Sequence, residues 1–142
     1  MTNEIIQGIA ATLHNTFGDG YEIYQNDVSQ GLQEPCFFID IVEDSRVRRI
    51  GKRWLHDVSI DIQYFPLLDG SNEEMCNISE QLYSILEFIT LTDGQMLHGF
   101  EMRSEITEGV LHFFVNYSVF LIEENDEENE MEDASFYTGV II

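Results

Sequence analysis

From Val110 to Ile122 the chain reads VLHFFVNYSVFLI, with Leu111, Phe113, Val115, Tyr117, Val119 and Leu121 on every second position. Only a strand gathers that spacing onto one face. Six large apolar side chains on one side of one strand predict a central position in a sheet, with a core built against it. The other elements are read relative to this strand.

QMLHGFEMRSEI, residues 95 to 106, reads as its hairpin partner, joined to it at Glu108 and Gly109. Trp54 to Phe65 alternates as well, with Val58, Ile60, Ile62 and Tyr64 on one face and Ser59, Asp61 and Gln63 on the other. That polar row must meet water or another subunit. CFFIDIVE, residues 36 to 43, is a further strand with Phe37, Ile39 and Ile41 on one face and Asp40 interrupting the other. YEIYQ, residues 21 to 25, is a short one. Ile5, Ile6, Ile9, Ala10, Leu13 and Phe17 recur at helical steps, predicting a helix over residues 3 to 17 closed by Gly18 and Gly20. Pro66 ends the strand before it, and SNEE at residues 71 to 74 offers a capping box, Ser71 as N-cap and Glu74 reaching back. Met75, Ile78, Leu82, Ile85, Leu86 and Ile89 form the core stripe of that second helix. The predicted order is α-β-β-β-α-β-β, an α+β fold with a mostly antiparallel sheet and two helices packed on it.

At 142 residues, 44% of them hydrophobic, the chain suits one domain with one core. We place that domain at residues 1 to 122. Residues 123 to 133 hold eight acids in eleven positions and are expected to be a flexible acidic tail, leading to the apolar segment FYTGVII. Phe136, Tyr137, Val140, Ile141 and Ile142 make that segment a candidate docking strand for the sheet edge of a neighbouring subunit or a tail protein. Cys36 and Cys76 are expected to be buried free thiols. No apolar run is long enough to span a bilayer, and the first residues lack the pattern of a signal peptide, so a cytoplasmic origin is expected.

Charge is distributed unevenly. Twenty-seven Asp and Glu oppose six Lys and Arg, a net charge of −21, yet Arg46, Arg48, Arg49, Lys52 and Arg53 fall within eight positions. A field this negative disfavours binding to DNA or an anionic membrane. The basic stretch lies between two strands, with Gly51 to make the turn. Three readings stand: a solvated loop, a nucleic-acid contact, and a contact with an acidic surface on an identical neighbour or partner. Trp54 beside the arginines favours the protein contact. His14, His56, His98 and His112 have no metal-ligand spacing. No phosphate loop, nucleophile elbow or Cys/His signature is present. No catalytic residue, metal or cofactor is therefore assigned.

The segments QGLQEPCFFIDIVE, SIDIQYFP and EGVLHFFVNYSVFLIEE, in that order and spacing, resemble the tail terminator (tail completion) proteins of tailed phages and prophages of Gram-positive bacteria, particularly contractile-tailed ones. The resemblance spans residues 1 to 125. It implies a structural virion protein without a chemical step: a hexameric ring that caps the tail tube, ends its polymerisation and offers a head–tail joining surface. The implied partners are further copies of the chain, the tail tube protein, the sheath and the head-completion proteins. DNA only passes through the lumen, and no membrane is involved. The implied location is the phage tail, reached from the host cytoplasm. A soluble acidic adaptor that binds one basic partner without forming a ring is the alternative.

Overall fold

A computed structural model describes residues 2–25, 33–67, 72–125 and 135–141. Helix α1 (Thr2–Phe17) leads through β1 (Glu22–Tyr24) into the long strands β2 (Cys36–Arg48) and β3 (Arg53–Phe65). Helix α2 (Asn72–Ile85) follows, then β4 (Phe88–Thr90), β5 (Met96–His98), β6 (Phe100–Thr107), β7 (Val110–Asn125) and β8 (Ser135–Ile141). The main sheet runs β1-β2-β3-β7-β6, with β8 also on β7, and β4–β5 form a separate ladder. All pairings are antiparallel except β1 with β2. The α+β class and the order α-β-β-β-α-β-β hold, with a small ladder inserted and a strand added at the end.

The alternation of β7 places it at the centre. Its residues 111 to 122 pair with β3 on one side and 110 to 116 with β6 on the other. Leu111, Phe113, Val115, Tyr117, Val119 and Leu121 are all buried, against Val58, Ile60, Ile62 and Tyr64 of β3 and the apolar faces of both helices. Each such side chain stabilises the fold by about 1.5–3 kcal/mol. At one end of this core Phe17, Tyr21, Phe37 and Tyr64 form an aromatic cluster, Phe17 and Phe37 having ring centroids 4.9 Å apart. At the other end the first turn of α1 is fastened to the β2–β3 hairpin. The Thr2 hydroxyl donates to Asp44 Oδ2 (2.9 Å), and Asp44 Oδ1 lies 2.5 Å from Nε2 of the buried His56. Partial burial of Asp44 acts to raise its carboxyl pKa. The hydrogen bonds from His56 and Thr2 outweigh it and hold the group below the ordinary aspartate value.

α2 covers β6 and β7. The Tyr64 hydroxyl donates to Glu74 Oε2 (2.6 Å), Ser79 bonds Ser104 (3.0 Å), and Tyr83 meets Phe113 edge-on. Ser71 of the expected capping box lies outside the described residues.

The structure corrects four expectations. α2 ends at Ile85, so Leu86 lies past the helix and Ile89 belongs to β4, because the Leu86 carbonyl is taken by the buried Tyr117 hydroxyl (2.6 Å) while Phe88–Thr90 pairs with β5. The strand expected over residues 95 to 106 breaks at Gly99, whose N–H donates to the Glu87 carbonyl instead of a ladder. The strand expected to end at residue 43 runs on to Arg48, because the basic stretch is itself strand paired with β3. Cys76 is exposed on α2. Only Cys36 is buried, and burial pushes its thiol pKa up to about 11, which keeps it inert.

Candidate functional site

The basic stretch forms the end of a β-hairpin longer than the helices that cover it. Two 13-residue strands extend about 43 Å at 3.3 Å per residue, while the 16 residues of α1 reach only about 24 Å. Because Thr2 is anchored at Asp44 and His56, residues 45 to 55 project beyond the helical layer as an arm. Strand β7 pairs with the arm as far as Ile122 opposite Arg53, and β8 pairs with β7 from Val119 to Asn125.

The arm ends in a tight turn in which the Arg49 N–H donates to the Arg53 carbonyl (2.7 Å) and Gly51 takes a φ of 79°. At its apex Ile50 is 95% exposed. The Arg48 guanidinium lies over the Trp54 ring, 5.5 Å from its centroid, and half-buried Trp54 rests on the core. Arg46 pairs across the strands with His56. Strand parity sends Arg46 and Arg48 to the helix side of the sheet and Arg49 and Arg53 to the opposite side. Among the described residues, no carboxylate forms an ion pair with Arg49, Lys52 or Arg53. The structure thus brings Arg46, Arg48, Arg49, Lys52, Arg53 and Trp54 together on one projecting element.

The sheet face away from the helices is the second component. Sequence reasoning identified it only as a polar row in one strand. Register places Asp40, Asp61, Phe114 and Arg103 in one line across four strands, and Glu43, Ser59 and Asn116 in the next. Two bulges flank these lines, one in β2 with Val42 as the extra residue, the other in β6 between Phe100 and Arg103. In the second, Glu101 has a φ of 52°, a strained conformation for a side-chain-bearing residue, and its carboxylate accepts from the Asn116 amide (2.8 Å). Between the bulges lies a depression of about 440 Å³, lined by Val42, Ser59, Met102, Arg103, Phe114 and Asn116 among others. Arg103 sits over the Phe114 ring at 4.0 Å and beside Glu105 at 3.6 Å. Asp61 is only 7% exposed; His112 Nδ1 and the Gln63 amide donate to its Oδ2, whereas its Oδ1 is buried with no partner. Asp40 stands directly opposite Asp61, a like-charge pairing that weakens a sheet. The row Ser59, Asp61 and Gln63 was legible in sequence, but no pattern in the sequence discloses the two bulges.

Thr2, Asp44 and His56 have the residue types of a nucleophilic relay. A relay engages the two ring nitrogens of the histidine with different partners. Here Nε2 alone faces both Asp44 and Thr2, and Nδ1 is buried without a partner. This is the geometry of a structural clasp. Among the described residues, no group of three or more His, Cys, Asp or Glu could hold a metal ion, and no helix is long and apolar enough to cross a membrane.

A protein-family model described as phage tail terminator protein matches residues 4–129. The chain belongs to that family. This tail terminator is therefore a structural protein of phage tails that works with other tail proteins. The match covers every element from α1 to β7, including the basic arm and the open sheet face, and stops before β8. No curated protein matches the terminator's sequence. Of the candidate docking strand, Phe136, Tyr137, Val140 and Ile141 lie in β8, opposite Glu124, Glu123, Phe120 and Val119 of the same chain, and Ile142 lies outside the described residues. The expected acidic tail begins inside β7, which continues to Asn125, and residues 126 to 134 are also outside the described set.

Proposed function

We propose that this tail terminator caps the finished tail tube as a hexameric ring, ends tube polymerisation, and presents the surface to which the head joins. The family match over residues 4–129 carries this reading. The fold supports it, since one chain offers both a projecting basic arm and an open acidic sheet face. Six copies of a −21 chain carry −126, so a ring requires local complementarity to offset mutual repulsion, and the arm supplies the positive partner. A chain acting as a lone acidic adaptor would have no use for that arm. The tail tube protein lies on one side of the ring, and the sheath and head-completion proteins are the other expected neighbours. Ejected DNA slides through an acidic lumen without being held.

Tails produced without the terminator are expected to vary in length and to lack heads, and adding purified protein should restore uniform, joined tails with a ring visible at one end by electron microscopy. Uniform joined tails in its absence would refute the reading.

A further inference from the structure

The arm and the open sheet face are complementary in charge, yet they cannot meet within one chain, because both belong to the same continuous sheet. We propose that the open face between Asp40, Asp61 and Phe114 is the seat for the hairpin tip of a second copy of the chain. This rests on the ring reading and names the two surfaces that close the ring.

Two sets of observations carry it. On the face, Asp61 has a buried carboxylate oxygen with no donor, and Asp40 stands across from it with no ion-pair partner among the described residues. A guanidinium laid against the exposed Asp40 carboxylate would give it a cation and offset its like-charge pairing with buried Asp61. On the arm, Arg49 and Arg53 are cations without a carboxylate among the described residues, and they point to the open side of the sheet. Between them stands Ile50, 95% exposed at the apex of a turn, a cost that burial against a neighbour would remove. The depression beside Asp61 has a mixed wall, Val42, Met102 and Phe114 alternating with Ser59, Arg103 and Asn116, and its apolar part gives that side chain a seat. The two bulges create the depression at this level of the sheet, and the strain at Glu101 is maintained there. Tip on face is a heterologous contact, and repeated with a rotation of one sixth of a turn and no rise it closes the six-membered ring.

Charge reversal tests the pairing. Arg49→Glu with Arg53→Glu alters the tip, while Asp40→Arg with Glu43→Arg alters the exposed rim of the face and leaves buried Asp61 in place. Each pair alone should reduce ring occupancy on isolated tails by about tenfold or more. The four reversals combined in one chain should recover most of it. In a Cys76→Ser background, Ile50→Cys with Val42→Cys should give a ladder of disulfide-linked subunits on capped tails under mild oxidation. Wild-type occupancy by the face variant, no recovery in the combined variant, or rings that yield no ladder would overturn the seat while leaving the ring reading intact. Capped tails bearing no ring of the unaltered protein would overturn the ring reading itself.

Discussion

Gly99→Ala is expected to destabilise the terminator by about 3 kcal/mol or more, and to leave part of the protein unfolded at growth temperature. A Cβ at this position would lie 2.6 Å from the Leu86 carbonyl oxygen and 2.8 Å from a methyl of Val115, closer than real Cβ contacts come. One obstacle is backbone and the other a buried side chain on the central strand, so neither can yield cheaply. The same Leu86 carbonyl accepts the Tyr117 hydroxyl in the core. A shift that relieves the clash therefore strands a buried phenol. Overpacking costs about 1–3 kcal/mol and an unpaired buried hydroxyl about 1–3 more. Gly20→Ala is the control, with nothing within 4 Å of its added Cβ, and should stay within about 0.5 kcal/mol of the parent. Urea unfolding of the two variants side by side checks this, and equal midpoints would show that the β5–β6 junction has slack.

Arg48→Glu combined with Arg49→Glu is expected to abolish assembly while sparing the fold. The monomer should lose about 0.5–1 kcal/mol, the worth of an exposed cation over an aromatic ring, because Arg48 covers Trp54 and Arg49 has no carboxylate partner among the described residues. Assembly should lose several kcal/mol per contact, roughly, since the charge reversed at Arg49 would face an acidic neighbour and Arg48 would no longer cover Trp54 behind it. Light scattering and tail joining, read beside the melting temperature, separate the two effects. Unchanged joining would return the basic stretch to the role of a solvated loop.

How much of this was legible in sequence depends on whether a feature is local. Alternation in residues 110 to 122 and 54 to 65 gave the two central strands and their buried faces, since period two has one structural meaning. Glu108 and Gly109 gave the hairpin turn, where both residues take positive φ (51° and 78°), as a two-residue turn of this kind requires. The break at Gly99 was not legible, because its cause is the close approach of Leu86 and Val115, both distant in sequence or on another strand. The basic cluster announced an element, but its length as an arm depended on where the first turn of α1 is fastened to the hairpin, a tertiary fact. The acidic seat was less visible still. Asp40 and Asp61 are ordinary residues until register places them opposite one another, and only packing reveals that one oxygen of Asp61 lacks a donor.

The β3–β7 seam has a consequence during synthesis. β3 is complete at Phe65, whereas its second partner begins at Val110, about 45 residues later, a delay of roughly 2–9 s at 5–20 residues per second. Throughout that interval Val58, Ile60, Ile62 and Tyr64 stand on a strand whose inner edge is unpaired, which is the configuration that templates aggregation. A chain stopped at Gly109 is accordingly expected to associate at concentrations where the full chain stays dispersed, and light scattering of the two would show it. Equal scattering would mean that β2 and the helices shield the waiting strand by themselves. The abundance of carboxylates then has a use that precedes any ring: like-charged nascent chains on one polysome repel each other until the seam can close.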